Sequence, residues 1–254
     1  MQGFKEISME IKGTVGILTL NRPQKLNALG KIIIDELAKV VDELANIKEL
    51  RVLIVTGAGG NFSSGLDVVD MTEVEESHGL RLIRASSKVY ESIYNLNAVT
   101  IAAVEGYCLG GGLELALSCD LLVASKKSFF GEPEISFSVL PGIVRVWRHS
   151  GLNRARYMAM TGDIFSTNEV KDWGIISKMV DQGKALKEAR KIADRLLEKP
   201  EKALKTLKSL YRKVMEMDYK EASLVEKEAF LELFQTEERI ERMKAFKKKS
   251  ALNK

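Results

Sequence analysis

The chain has 254 residues, 45% hydrophobic and 29% charged, which suits one large globular domain, or a domain with an extension, whose core needs no disulfide or metal. Its two cysteines, Cys108 and Cys119, lie eleven positions apart with no Cys or His beside them, which excludes a disulfide framework and a zinc cluster. The net charge of +4 is uneven: residues 182–215 hold eleven Lys/Arg against four Asp/Glu, and residues 239–254 hold seven against one.

In chain order, Ile7, Met9 and Ile11 alternate with Ser8, Glu10 and Lys12, the pattern of a half-buried strand. Gly13-Thr14 turns the chain into a second strand over Val15–Leu20, giving a hairpin. Ile33, Leu37, Val40, Val41, Leu44 and Ile47 then recur at helical spacing. Val52-Leu53-Ile54-Val55 before a glycine cluster reads as a buried strand. A helix is expected over residues 79–95, with Leu80, Ile83, Tyr90 and Tyr94 on one side. Buried strands follow at 99–104 and 121–124, separated by a glycine-rich turn and a short helix. This alternation predicts an α/β body with parallel strands and crossover helices over residues 1–183. Residues 184–254 read as helical with one break, at Pro200; Leu204, Leu207, Tyr211 and Val214 form one stripe, and Phe230, Leu233 and Phe234 another. These stripes must be covered by the α/β body or by another subunit. The basic excess in these helices fits either an RNA or phosphate-rich ligand or simply solvated helix faces. No apolar run reaches the roughly 18 residues of a spanning helix. The first residues also lack a signal peptide's apolar block, so a cytoplasmic protein with no membrane contact is expected.

Histidine occurs only at 78 and 149, so proton transfer falls to carboxylates, Lys or Tyr. His78 opens an apparent helix and His149 sits between Arg148 and Ser150; both read as surface or core polar residues. Two segments carry chemistry: Phe62-Ser63-Ser64-Gly65-Leu66-Asp67 after one buried strand, and Gly110-Gly111-Gly112-Leu113-Glu114 after another. Glycines entering a helix let the backbone approach a ligand and leave free N–H groups at the positive end of the helix dipole. No Gly-Lys-Ser/Thr follows, so this is not a phosphate-binding P-loop, and the spacing at Gly57-Ala58-Gly59-Gly60 does not fit a dinucleotide fingerprint. Glu114 stands among Leu113, Leu115, Ala116 and Leu117, a setting that desolvates a carboxylate and raises its pKa. Glu132-Pro133-Glu134 supplies two more carboxylates on a segment stiffened by proline. From pattern alone, a catalytic acid–base pair and ordinary surface or capping glutamates both remain open.

The order Asn21-Arg22-Pro23, Asn27-Ala28-Leu29, Ser64-Gly65-Leu66-Asp67, Gly110-Gly111-Gly112-Leu113-Glu114-Leu115-Ala116, Gly131-Glu132-Pro133-Glu134, Leu140-Pro141-Gly142, Met160-Thr161-Gly162 and Trp173-Gly174-Ile175-Ile176 resembles the enoyl-CoA hydratase/isomerase (crotonase) superfamily over almost the whole chain. The resemblance implies a spiral of strand-strand-helix units with C-terminal helices that build a homotrimer, often paired into a hexamer. It also implies an acyl-CoA substrate and an oxyanion hole made by the backbone N–H groups of Leu66 and Gly111. In the family's hydratases two glutamates hold the water that adds to the double bond, and they match Glu114, as base, and Glu134, as acid; Gly142 matches a position whose N–H helps hold that water. CoA contacts map onto Lys25, Leu26, Ala28, Ser64, Asp67, Val68, Gly110, Phe230 and Lys249. The expected reaction is reversible syn hydration of a 2-enoyl-CoA with no metal or redox cofactor. Alternatives on the same scaffold are an enoyl-CoA isomerase and an acyl-CoA hydrolase or decarboxylase. An RNA-binding protein using the basic helices is the rival of another class; with only Tyr211 as an aromatic platform over residues 184–213, nucleic acid is not expected as the partner.

The chain departs from the family pattern in two places. A lysine common after the Asp67 position is replaced by Val68-Val69, and the glycine-rich stretch after Pro141-Gly142 is replaced by Ile143-Val144-Arg145-Val146-Trp147-Arg148. Ile143, Val146 and Trp147 are expected either to shorten the acyl pocket or merely to pack a helix. Arg145 or Arg148 is expected either to meet an acidic or oxygenated acyl group or to leave specificity alone.

Overall fold

The alternating residues near the start form β1 (Ile7–Lys12), which pairs antiparallel with β2 (Val15–Leu20), Ile7 opposite Leu20 and Lys12 opposite Val15. The computed structural model describes residues 3–72 and 76–252, apart from the side chains of residues 76–78 and 249–252. After β2 come α1 (Lys31–Ala45), β3 (Val52–Gly57), α2 (Val68–Thr72), α3 (Glu76–Asn95), β4 (Val99–Val104), β5 (Tyr107–Leu109) and α4 (Gly111–Leu117). The chain continues through β6 (Leu121–Ser125), β7 (Phe129–Gly131), α5 (Ile143–Ser150), α6 (Leu152–Thr161), β8 (Ile164–Ser166), α7 (Thr167–Val170) and β9 (Lys178–Val180). It ends in α8 (Ala185–Leu197), α9 (Glu201–Val214), α10 (Tyr219–Phe234) and α11 (Glu237–Leu252).

A six-stranded sheet has the order β1-β2-β3-β4-β6-β9, parallel from β2 onward, and a three-stranded sheet has the order β5-β7-β8. Successive passages of the chain therefore give one strand to each sheet: β4 then β5, and β6 then β7. Parallel strands covered on both faces need continuous apolar runs; Val52, Leu53, Ile54 and Val55 of β3 are all fully buried. The face of α1 that carries Ile33, Ile34, Leu37, Val40, Val41 and Leu44 is buried against this core. Each such side chain contributes about 1.5–3 kcal/mol of transfer free energy.

The inner stripe of α3 differs from the expected one. Leu82, Ser86, Val89, Tyr90 and Ile93 are buried, whereas Leu80 and Ile83 are exposed. The helix carries apolar residues on two faces, and contact with α1 selects the face that includes Val89 and Ile93. The three-residue strands β5, β7 and β8 are too short to show a period in sequence, and they form the second sheet.

The chain divides into two compact units, one through Asp194 and one from Arg195. In the second unit, helix ends at 214 and 234 accompany the break at Pro200. Neither carries Gly or Pro. Asp218 caps α10 by accepting the Glu221 N–H at 2.9 Å, and Thr236 Oγ1 accepts the Arg239 N–H at 3.4 Å ahead of α11. Within this unit α9 packs on α10, and Lys202 pairs with Glu232 at 2.9 Å. No described helix is long and apolar enough to cross a membrane.

Candidate active site

The loop after β2 and the loop after β3 are locked together by one buried side chain. Asn27, fully buried, donates from Nδ2 to the carbonyls of Ala58 and Asn61 at 2.9 and 2.8 Å and accepts the Arg22 N–H at 2.9 Å. Arg22 reaches across to Asp67 at 2.6 Å and Glu6 at 3.2 Å. Burial pushes the Asp67 carboxyl up, but the Arg22 bond and charge and the Val69 N–H outweigh it and hold Asp67 below its usual range. These bonds account for the Asn-Arg-Pro and Leu-Asp motifs as scaffolding of the loop that carries Leu66.

Leu66 forms a parallel bridge with Leu29, in which Leu29 N–H donates to Gly65 O at 2.8 Å and Asp67 N–H donates to Leu29 O at 3.2 Å. In that register the N–H of Leu66 itself points away from Leu29. Ser63 bridges Cys108 of β5, so the Leu66 loop lies along the chain that enters α4, and the Leu66 side chain rests on Gly111. The N–H groups of α4's first turn are the orphan donors of a helix start.

Three glutamates surround this helix start. Gly110 caps α4 with φ 49° and ψ −127°, a region that favours glycine, and a Cβ there would overlap the Glu134 carboxylate. Gly142, the residue before α5, lies so close to the Glu114 carboxyl carbon that a Cβ would overlap it too. The Gly142 N–H points at Glu132 Oε2, 3.3 Å away, and is thus occupied by a carboxylate that the sequence reading left without a role. Glu132 is fully buried.

Burial raises the pKa of all three carboxyls. For Glu114 the charge and hydrogen bond of Arg145 offset burial only in part, leaving it above its usual range. Glu134 is raised by burial and by the Glu114 charge, against hydrogen bonds from its own N–H, from Glu132 and from the Gly111 N–H. Glu132 is raised well above the usual range, by burial first and then by the charges of Glu134 and Glu114.

Arg145 Nη1 contacts Glu114 Oε1 at 3.1 Å and its guanidinium lies 5.4 Å from the centre of the Tyr90 ring. Tyr90, buried on α3, brings its hydroxyl against Gly111. Of the residues expected either to shape the acyl pocket or to pack a helix, Val146 is buried in the core, Ile143 packs against that core and Trp147 is half exposed, while Arg145 of the same helix reaches Glu114. Sequence reasoning missed Glu132 and Tyr90 in this cluster. Glu132 was visible as the first carboxylate of Glu-Pro-Glu, but its burial depends on the fold.

Other expected residues lie as follows. Lys25 and Leu26 are exposed on the turn after β2, with Leu26 in the left-handed region at φ 51°. Ala28 is buried, Ser64 N–H donates to Leu26 O at 3.0 Å, and Val68 is exposed at the start of α2. Phe230 is exposed on α10 and stacks on Phe234 with centroids 5.7 Å apart. The Lys249 and His78 side chains lie outside the described residues. His149 contacts Leu117 O at 3.2 Å and burial holds it below its usual pKa, as fits a core polar residue.

The sequence model of the enoyl-CoA hydratase/isomerase family matches residues 10–253. The chain belongs to this family. A short-chain-enoyl-CoA hydratase of Clostridium acetobutylicum is 33% identical over 247 residues, 96% of this chain and 95% of that protein. A crotonyl-CoA hydratase of Syntrophomonas wolfei is 31% identical over 254 residues, 98% of each. An enoyl-CoA hydratase structure from Bacillus anthracis superposes with a TM-score of 0.91 at 28% identity, covering 96% of this chain and 97% of that one. The α/β crotonase fold expected from the motifs is therefore the fold of this family member.

Proposed function

We propose that this chain catalyses the reversible syn hydration of a 2-enoyl-CoA to a 3-hydroxyacyl-CoA. The observation that carries the reading is the gathering of Glu114 and Glu134 at the start of α4, each seated against a glycine and each raised in pKa by burial. A carboxyl raised toward neutrality is suited to proton transfer. Glu114 takes a proton from water as the hydroxyl adds to the β-carbon, and Glu134 protonates the α-carbon. The thioester oxygen, which gains negative charge in the enolate, is received by the N–H groups of Leu66 and Gly111; a preorganised donor of this kind is worth about 3–4 kcal/mol of barrier. The Gly111 N–H faces Glu134 in this structure, so substrate must compete for it. Gly142 supports the site by its close approach to Glu114, with its N–H directed to Glu132.

CoA is part of the substrate, and the reaction as read needs no resident metal or redox cofactor. Lys25, Leu26, Ala28, Ser64, Asp67, Val68 and Gly110 are assigned to CoA and substrate, with Phe230 and Lys249 at its nucleotide end. Asp67 acts through Arg22 as scaffold. The C-terminal helices are read as the trimer-forming region and the enzyme as cytoplasmic. The segment after Gly142 is read as making long saturated acyl tails poor substrates, and a kcat/KM that rises from four to ten acyl carbons would overturn that preference. The RNA-binding alternative is not supported, because the family and the relatives are named for acyl-CoA chemistry.

One observation favours a second reading on the same scaffold. Arg145 pairs with Glu114, so of the two carboxyls Glu134 is the one with no cation on it among the described residues, and the family's isomerases often work with a single carboxylate near that position. Chromatography of the products from a 2-enoyl-CoA decides. A 3-hydroxyacyl thioester is expected; a 3-enoyl thioester with no incorporation of water would establish the isomerase.

A further inference from the structure

Glu132 is fully buried, yet among the described residues no positive side chain pairs with it. Its Oε2 accepts the Gly142 N–H at 3.3 Å. Its Oε1 and Glu134 Oε2 are both shut off from solvent, and neither accepts a hydrogen bond from an N–H or hydroxyl donor. The two carboxyl groups, two residues apart on the proline-stiffened Glu-Pro-Glu segment, each bear on the other's ionisation, as groups able to hydrogen-bond each other do. Two carboxylate oxygens can do so only if one carries a proton. The neighbours that bear on the pair are Glu114 from α4, Tyr90 from α3 and Cys108 from β5, and Arg145 from α5, which lies by Glu114 and Tyr90, is held by Glu114. A doubly ionised pair in this setting would place two buried negative charges side by side.

We propose that Glu132 is the proton-sharing partner of Glu134, the two carboxyl groups holding one proton between them, so that the acid of the hydration step is a pair and not a single residue. This rests on the reading of Glu134 as the acid. In the step itself, an O–H bond of water breaks, its oxygen joins the β-carbon and its proton goes to Glu114. The proton on Glu134 goes to the α-carbon, and Glu132 hands the shared proton to Glu134 when it resides on Glu132. Return of Glu114's proton to the pair resets the site, so protons balance over the cycle. Glu132 is a positioning residue, since it acts through Glu134. Interacting carboxyls lose their last proton at a higher pH than either would alone, so the pair extends the pH range in which an acid is available.

Glu132→Gln tests this, because the amide keeps a donor toward Glu134 and an acceptor for the Gly142 N–H but has no proton to share. Hydration should be close to wild type at the acid end, while the wild-type to variant ratio of kcat/KM should grow at least about tenfold toward the alkaline end. A second reading is independent of the reaction. A carboxyl raised in the folded state contributes stability at low pH that is lost as pH rises through its folded pKa, so Glu132→Gln should gain more in Tm at pH 9 than at pH 6. Superimposable pH profiles together with a pH-independent Tm difference would overturn the proposal. Full hydratase activity in Glu134→Gln would instead overturn the underlying reading of the acid. Should Glu132→Gln not fold, infrared spectra of the Glu114→Gln variant decide: an un-ionised carboxyl band that persists at mildly alkaline pH and shifts in frequency with added Glu134→Gln supports the pair, and a band that is absent or indifferent to Glu134→Gln refutes it.

Discussion

Glu114, Glu132 and Glu134 are ionisable groups withdrawn from water, whereas Tyr211, Tyr219, Phe230 and Phe246 are large apolar groups left in it, Tyr219 90% and Phe246 74% exposed. Both placements cost free energy in a single chain, and they teach different things. Burial of the carboxyls is offset locally, by Arg145, by backbone N–H groups and by protonation, all within the first unit. The exposed aromatic residues of the second unit have no such local offset, and repeated exposure of this kind marks a surface to be covered. A second copy of the chain is the cover proposed above.

Apart from changes to the two glutamates themselves, replacing Gly142 by alanine should do the most damage to the first region. The added methyl must displace the Glu114 carboxyl, and a misplacement of about 1 Å in a reacting group costs about 10²-fold in kcat. The far-ultraviolet circular dichroism should stay that of wild type, and a near-wild-type kcat would show that Glu114 needs no such seat. Arg145→Ala comes next. Arg145 holds Glu114 lower than burial alone would, so its loss raises the Glu114 pKa further. A base must be ionised to act, and the acid limb of kcat/KM should therefore move to higher pH, with more activity lost at pH 6 than at pH 8. A changed KM with an unmoved limb would make Arg145 a substrate ligand instead. In the second region, Tyr211→Glu combined with Phe230→Glu should lower the mass seen in sedimentation equilibrium while leaving helix content unchanged; an unaltered mass would place the interface elsewhere. Leu66→Ala should matter least, changing kcat/KM by less than about tenfold, or about 1.4 kcal/mol, because the proposed agent there is a backbone N–H. A loss as large as that of Gly142→Ala would mean the side chain is needed to hold the loop.

The same contrast explains what could be read from the sequence. β1, β2, β3, β4 and β6 are long enough to display alternation or an unbroken branched apolar run, and α1 displays a full helical stripe. β5, β7 and β8 span three residues each, and the ends of α9 and α10 depend on polar caps at Asp218 and Thr236 with no proline or glycine. On α3 two apolar faces compete, and only packing against α1 decides between them. Glu114 and Glu134 are legible through the resemblance, whose glycine-triplet and Gly-x-Pro-Glu motifs carry them; the local pattern alone leaves their role open. The Arg145 contact with Glu114 and the burial of Glu132 join residues 31 and 10 positions apart through the fold, and no local pattern announces them. Val146, for which both pocket lining and helix packing were open, shares its helix with Arg145 but faces the core.

The central claim is that Glu114 and Glu134 act as one acid–base unit on a 2-enoyl thioester. The most direct test follows the loss of the conjugated thioester's ultraviolet absorbance with crotonyl-CoA for wild type, Glu114→Gln, Glu134→Gln and the double variant. Each single change should cost about 10²–10⁴ in kcat, and the double should cost hardly more than the worse single, because residues acting as a unit are not additive. A single variant that keeps the wild-type rate, or a double loss equal to the product of the two, would contradict the account.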